Sequence, residues 1–145
     1  MEANDEQLIA TARAAIQLWD LGESELTLVS RSENVVFKVE PRALPHYALR
    51  LHRPDYNTLT ELRCECTWTD ALNDAGIRAP RYRHTSANDQ YAQVGLAGIE
   101  QQIQASMIEW IDGVSLGSLI DAASDDERLD YFRQFGGMIA QAHNQ

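Results

Sequence analysis

An arginine and a glutamate have the residue types and the spacing of a partly buried ion pair. Arg50 stands between two leucines in a stretch typical of a strand, and Glu65 follows in a stretch typical of a helix. A carboxylate near an apolar surface needs a cation or several donors, and a guanidinium held by one carboxylate keeps donors free for an anion such as phosphate. We therefore expect Arg50 and Glu65 to pair and to present a phosphate-binding cation.

Two glutamates of this helix are candidate partners for the arginine. Glu61, Glu65, Trp68 and Leu72 recur at helical spacing, so we expect one carboxylate to be partly buried beside Trp68 and Leu72. Glu61 can instead close a capping box begun by Thr58, which makes Glu65 the favoured partner. The alternative is a surface arginine and a surface glutamate that do not touch.

The elements that position these residues follow from periodicity and turn signals. Helices are predicted over residues 4–19, 58–75 and 124–143, and strands over 26–29, 34–40, 47–53, 90–94 and 104–110. The connections between the first three strands are too short for crossover helices, so those strands pair antiparallel. The predicted fold class is α+β: a five-stranded antiparallel sheet with an inserted helix, an N-terminal helix and a final helix.

Composition excludes several classes of partner. The 145 residues carry a net charge of −10, which disfavours DNA, RNA and anionic membrane surfaces as partners. No apolar run approaches the roughly 20 residues of a membrane span, and the acidic N-terminus does not resemble a signal peptide. Cys64 and Cys66 suit neither a disulfide nor, with the scattered histidines, a metal site. We expect a cytoplasmic protein without a metal ligand set.

Four segments carry a resemblance to a known family. They are Asn34-Val35-Val36-Phe37-Lys38-Val39, Tyr47-Ala48-Leu49-Arg50-Leu51-His52-Arg53-Pro54, Glu65-Cys66-Thr67-Trp68 and Ile108-Glu109-Trp110-Ile111-Asp112-Gly113. In this order and spacing they resemble the N-terminal lobe of the aminoglycoside phosphotransferase-like kinases, which have a protein-kinase-like fold. The second segment most resembles the homoserine-kinase-like and bacterial stress-response kinases. The resemblance implies a nucleotide-binding lobe over residues 1–110 and the start of a second lobe over 111–145.

The resemblance also implies roles for single residues toward ATP. Arg50 stands where the family's cation, usually lysine, contacts the α- and β-phosphates, and Glu65 where the helix glutamate holds that cation. The loop over the phosphates would include Ser30, Ser32 and Asn34, although it has no glycine. In the hinge, Ile108 would stand behind the adenine, which would bond to the Glu109 carbonyl and the Ile111 amide. Without the neighbouring motifs, the hinge segment is an ordinary strand followed by an Asp-Gly turn, and the serine loop is an ordinary β-turn.

Phosphoryl transfer in this family needs a catalytic aspartate, an asparagine and an aspartate that binds magnesium. None of the four histidines begins a His-x-Asp triplet, so we predict no catalytic residue and no metal ligand in this chain. The expected function is the N-terminal ATP-binding part of a phosphotransferase, inactive alone, with magnesium bound mainly by a missing second lobe. The alternative is a stand-alone nucleotide-binding or pseudokinase-type interaction module.

The final helix suggests a further partner. Phe132, Phe135 and Ile139 form an apolar stripe that would pack on helices of the missing lobe, so we expect self-association through it. Gly136 and Gly137 interrupt the stripe, and a close approach by another element would explain them.

Overall fold

The computed structural model describes residues 3–143, which divide into two units. The first unit comprises residues 3–67 and 80–110, and the second comprises residues 68–79 and 111–143. In the first unit lie α1 (Asp5–Ile16), β1 (Ser24–Arg31), β2 (Asn34–Pro41), β3 (Tyr47–His52), β4 (Tyr82–Arg83), β5 (Tyr91–Gly95) and β6 (Gln102–Glu109). Helix α2 (Leu59–Asp74) contains the boundary between the units, and α3 (Leu116–Ala122) and α4 (Asp125–His143) lie in the second.

Helix α1 begins at a capping box and buries one stripe. The Asn4 side chain accepts a hydrogen bond from the Gln7 backbone at 2.9 Å, and the Gln7 side chain accepts one from the Asn4 backbone at 3.0 Å. These bonds satisfy donors that a helix start leaves free. A 3₁₀ turn (Gln17–Trp19) follows, and the buried Trp19 donates its indole N–H to the Arg83 carbonyl at 2.7 Å. The predicted helix over 4–19 is thus an α-helix with a 3₁₀ end.

Within residues 3–143 the sheet has six antiparallel strands, and β6 pairs with three of them. The order is β1-β2-β3-β6, and β4 and β5 both pair with the other edge of β6. The predicted antiparallel α+β fold is confirmed, and β4 is the strand absent from the prediction. Since β4 has only two residues, it carries no alternation by which a strand is recognised.

The hydrophobic core lies between α1 and one face of this sheet. Residues of the helix stripe pack on alternating strand residues, because successive strand side chains point to opposite faces. The fully buried members include Leu8, Ala12, Phe37, Leu49, Leu51 and Met107. The side chains of Arg50 and His52 alternate along β3 with those of Leu49 and Leu51, so they lie on the opposite face of the sheet. That face of β3 is also largely buried.

The second unit is helical. The Ser115 side chain caps α3, which the sequence analysis did not predict, and Arg128 of α4 donates from Nε to the Ile120 carbonyl at 3.0 Å. No residue of α4 is buried in the described chain. A Cβ added at Gly136 or Gly137 would meet nothing within 4 Å. The expected close approach at these glycines is therefore wrong for the part of the chain described.

Candidate functional site

The predicted ion pair is present. Arg50 of β3 donates from Nη1 to Glu65 Oε1 of α2 at 2.5 Å, and the two side chains are 18% and 41% exposed. The alternative of a surface arginine and glutamate without contact is therefore wrong. The guanidinium has five N–H donors in a rigid fork, so one carboxylate oxygen occupies only part of its capacity. The remaining donors are held in a fixed direction and could bind an anion.

The two candidate glutamates have separate roles. Glu61 accepts hydrogen bonds from the backbone and hydroxyl of Thr58 at 2.7 and 2.8 Å, while the Glu61 N–H bonds the Thr58 hydroxyl at 3.3 Å. This is the predicted capping box, and these bonds lower the pKa of the Glu61 carboxyl. Glu65, one turn later, is left to meet Arg50.

Of the two apolar neighbours predicted for that carboxylate, Leu72 is buried as expected, but Trp68 is not. Trp68 is 58% exposed, whereas Leu62 and Cys66 are buried. The buried stripe of α2 passes through Leu62 and Cys66, and Trp68 falls outside this stripe. The Arg50 side chain is therefore the more buried partner of the ion pair, and the Glu65 carboxylate is closer to solvent.

Arg50 belongs to a row of cross-strand neighbours, one from each of five strands, that runs across the sheet. Its cross-strand partners are Val36 on β2 and Ser106 on β6, and the row continues to Ser30 on β1 and Tyr91 on β5. Directly opposed residues of antiparallel strands lie on the same face. The row therefore places the predicted loop residue Ser30 on the same face as the cation.

A second row runs beside the first, two residues along each strand. It contains Lys38, Ala48, Ile108 and Tyr82 in register. Ala48 is buried, and Lys38, Ile108 and Tyr82 are half-buried. The strand rise of about 3.3 Å per residue separates the two rows by roughly 7 Å. The sheet thus presents an aliphatic pair, Ala48 and Ile108, next to the cation Arg50.

The remaining predicted residues occupy different places. Asn34 begins β2 and is registered with His52, whereas Ser32 lies in the exposed β1–β2 turn and donates its N–H to the Asn34 carbonyl at 3.1 Å. Glu109 ends β6, where its N–H donates to the Arg81 carbonyl at 2.9 Å. Ile111 belongs to the second unit and is 41% exposed. The structure therefore places Ser30, Asn34, Arg50 and Ile108 on one face of the sheet, where Glu65 pairs with Arg50, whereas Ser32 lies outside the sheet.

Four side chains of the same face were missed by the sequence analysis as site residues. His52 is 3% exposed and its Nε2 lies 2.9 Å from the hydroxyl of the fully buried Ser106. The His52 ring packs on the Tyr91 ring with centroids 5.7 Å apart, and Tyr91 packs on Tyr82 at the same distance. A signal was available for His52, since the alternation from Leu49 to His52 puts His52 on the face of Arg50.

The charges on this face are tuned by burial and by the ion pair. Burial tends to lower the pKa of Arg50, but the hydrogen bond and charge of Glu65 outweigh it and raise that pKa above its ordinary value. Burial, followed by the nearby charge of Arg50, lowers the pKa of His52 to about 4. Burial also raises the pKa of the Tyr82 and Tyr91 hydroxyls. At neutral pH, Arg50 is therefore positively charged, whereas His52, Tyr82 and Tyr91 are neutral.

Across residues 3–143 there is no group of three or more histidine, cysteine, aspartate or glutamate side chains placed to hold a metal ion. None of the helices in that range has the length and hydrophobicity that crossing a bilayer requires.

Comparisons with known proteins give structural matches. No protein-family model matches the chain, and no curated protein matches it. A solved structure of a microcompartment-associated aminopropanol kinase has a TM-score of 0.74 and 26% identity, covering 94% of this chain and 40% of that one. The amicoumacin kinase hAmiN, solved with AMP-PNP, Ca²⁺ and Ami, has a TM-score of 0.61 and 18% identity, covering 79% of this chain and 34% of that one.

The chain thus spans well under half the length of either kinase. Both neighbours are named as kinases, and the sequence motifs described above resemble a kinase family. The order of strands, the helix after β3 and the likeness to these two structures confirm that the chain has a kinase-like fold.

Proposed function

We propose that this chain is the nucleotide-binding part of an ATP-dependent phosphotransferase. The observation that carries the proposal is the ion pair of Arg50 with Glu65 on the face of the sheet opposite the α1 core. A carboxylate that fixes a half-buried guanidinium prepares it to bind phosphate in one direction, with less ordering required when the ligand arrives. The AMP-PNP bound by the amicoumacin kinase, which shares this fold, supports the same ligand class.

The residues around the ion pair offer both the apolar and the charged surface that a nucleotide needs. Ala48 and Ile108 offer an apolar surface for a flat base, and Arg50 offers charge for the phosphates in the adjacent row. A separation of roughly 7 Å between rows leaves space for a sugar between base and phosphate. In this proposal Ser30, Ser32 and Asn34 cover the phosphates, and the backbone of Glu109 and Ile111 bonds the adenine edge.

Phosphate transfer is not part of the role that we propose for these residues. The sequence has no His-x-Asp triplet that would supply a catalytic aspartate. The proposed role is therefore binding and orienting ATP, with magnesium held mainly by residues outside this sequence. We expect no turnover of ATP by these residues alone with any hydroxylated acceptor.

A calorimetric titration with Mg-ATP tests the proposal. We expect the chain to bind Mg-ATP and Arg50→Ala to weaken the affinity by about tenfold or more, because a charge-assisted hydrogen bond to phosphate is lost. Arg42→Ala is the matched control, since Arg42 pairs with Glu23 at 3.1 Å and both side chains are at least 80% exposed. Absence of binding by the unmodified chain, or equal losses in both variants, would contradict the proposal.

The two glutamates of α2 provide a second matched pair. Glu65→Gln removes the charge that holds Arg50, and we expect it to weaken Mg-ATP binding by about fivefold. Glu61→Gln removes the same charge one turn earlier, where it only caps the helix, and we expect nearly unchanged affinity. The comparison separates the ion pair from the general electrostatics of an acidic chain.

The second candidate is an interaction module that does not use nucleotide. The observation in its favour is the exposure of Leu129, Phe132, Phe135, Met138 and Ile139 along α4. A thermal-shift titration separates the candidates: ligand that binds only the folded state raises the melting temperature, so Mg-ATP would raise it only if nucleotide binds.

A further inference from the structure

The buried hydrogen bond between His52 and Ser106 lies beside the candidate phosphate-binding cation, Arg50, on the same face of the sheet. Ser106 is the cross-strand neighbour of Arg50 on β6, and His52 lies two residues from Arg50 on the same face of β3. Both side chains are almost completely buried, at 0% and 3% exposure. A buried polar pair of this kind restricts the geometry of its surroundings. If either partner is lost, the other is left buried without a hydrogen bond, which costs free energy.

The surroundings of the His52 imidazole favour one neutral tautomer. His52 Nδ1 is buried and has no hydrogen-bond partner among the described residues. A neutral imidazole carries its proton on one nitrogen, and burying an N–H without an acceptor is costly. The favoured neutral form therefore carries its proton on Nε2 and donates it to the Ser106 hydroxyl at 2.9 Å.

From His52, contacts lead through Tyr91 to the helix that carries Glu65. The His52 ring packs on Tyr91, whose hydroxyl donates to the Leu62 carbonyl of α2 at 2.5 Å and lies 3.1 Å from the Tyr82 hydroxyl. Leu62 stands three residues before Glu65, which is about one helical turn. The first part of α2 is thus fixed to the sheet at two points, the Leu62 carbonyl and the Glu65 carboxylate.

We propose that His52 is a positioning residue for the nucleotide site, holding Tyr91 and through it the start of α2 so that Glu65 meets Arg50. This inference rests on the proposed function, because the site it positions is the proposed phosphate site. His52 itself touches no ligand in this proposal. Its neutral ring adds shape and one directed hydrogen bond, and Arg50 stays the positive charge of that face.

The experiment compares three variants of the full chain for Mg-ATP affinity and for the NMR signals of the Arg50 guanidinium. His52→Phe keeps an aromatic ring beside Tyr91 but loses the bond to Ser106, whereas His52→Gln keeps a donor near the Nε2 position. Ser106→Ala removes the same bond from the other side with a smaller change of volume. We expect His52→Phe and Ser106→Ala to weaken affinity by about five- to tenfold, and His52→Gln to stay within about twofold of the unmodified chain.

A variant on the other face of the same strand separates positioning from loss of stability. Leu51 is fully buried against the α1 core, so Leu51→Ala destabilises the sheet without touching the His52 network. At a temperature where every variant is folded, we expect Leu51→Ala to keep the Mg-ATP affinity. A purely structural role for His52 would instead make the affinity losses follow the losses of stability in all variants, which would overturn the proposal.

The NMR signals distinguish failure of this inference from failure of the proposed function. A guanidinium held by a carboxylate gives separate, slowly exchanging N–H signals, and we expect these for Arg50 in the unmodified chain and not in His52→Phe. If the unmodified chain bound no nucleotide, the proposed function would fail while this signature still tested the positioning role. If the signature stayed unchanged in His52→Phe and Ser106→Ala, the positioning role would be wrong.

Discussion

At the scale of single residues, a neutral histidine beside an arginine makes stability depend on pH. Burial and the charge of Arg50 lower the pKa of His52 from 6.5 to about 4 in the folded chain. Between these values the unfolded chain binds a proton that the folded chain does not, so stability falls as pH falls from about 6.5 to 4. A pKa that differs by one between the folded and unfolded chains changes the free energy of unfolding by about 1.4 kcal/mol, so the full effect is on the order of 3 kcal/mol.

Urea unfolding of the chain at pH 7 and pH 4.5 checks this prediction. We expect the free energy of unfolding to be lower at pH 4.5, and His52→Gln to remove most of the difference because it does not titrate. Glu61 and Glu127, whose pKa values are lowered by their hydrogen bonds to Thr58 and Ser124, contribute stability that is lost at still lower pH. An unchanged pH dependence in His52→Gln would assign the effect to other groups.

At the scale of elements, the sequence predicts those that repeat a pattern over several residues. β-Branched residues and flanking prolines predict β2 and β3 to within a residue, and the capping box at Thr58 predicts where α2 begins. Strand β4 and helix α3 were missed because two and seven residues carry too little periodicity.

Only part of the candidate site, the pair of Arg50 and Glu65, was predicted from the sequence. Charge and strand context were enough to pair Arg50 with Glu65, because a buried guanidinium and a nearby carboxylate satisfy each other. Ser106 and Tyr91 join Arg50 through cross-strand register, which no short stretch of sequence specifies. Trp68 was assigned to the wrong side of α2 because charged and apolar residues alternate around that helix.

The glycines of α4 give the element-scale prediction. Gly136 and Gly137 have free space where a Cβ would stand, so replacing either with alanine should stabilise the helix by about 1 kcal/mol through propensity alone. Amide hydrogen exchange along α4 measures this as slower exchange in Gly136→Ala and Gly137→Ala. Gly22→Ala is the contrasting variant, because Gly22 has φ +65° and a side chain there is strained even though space is free. Faster exchange in the α4 variants would indicate that another chain approaches these glycines.

At the scale of the whole molecule, two opposing features govern association. The chain carries a net charge of −10, which makes copies repel each other, while α4 exposes Phe132 by 56% and Phe135 by 47%. Apolar surface of this extent on one helix favours burial against a partner, and a second copy supplies an identical stripe. Salt screens the repulsion over about 10 Å at 0.1 M without weakening apolar contact.

We therefore predict self-association through α4 that strengthens as salt is added. Light scattering coupled to size exclusion should show a growing dimer fraction between low salt and about 0.5 M salt, where the screening length falls toward a few ångströms. Phe132→Glu and Phe135→Glu should both give monomers, since each places a charge within the stripe. Val29→Glu, which alters a half-exposed apolar residue of β1, should leave the association intact because Val29 lies outside α4. A monomer at every salt concentration would show that repulsion exceeds the apolar gain, and dimers that survive both phenylalanine variants would place the contact on another surface.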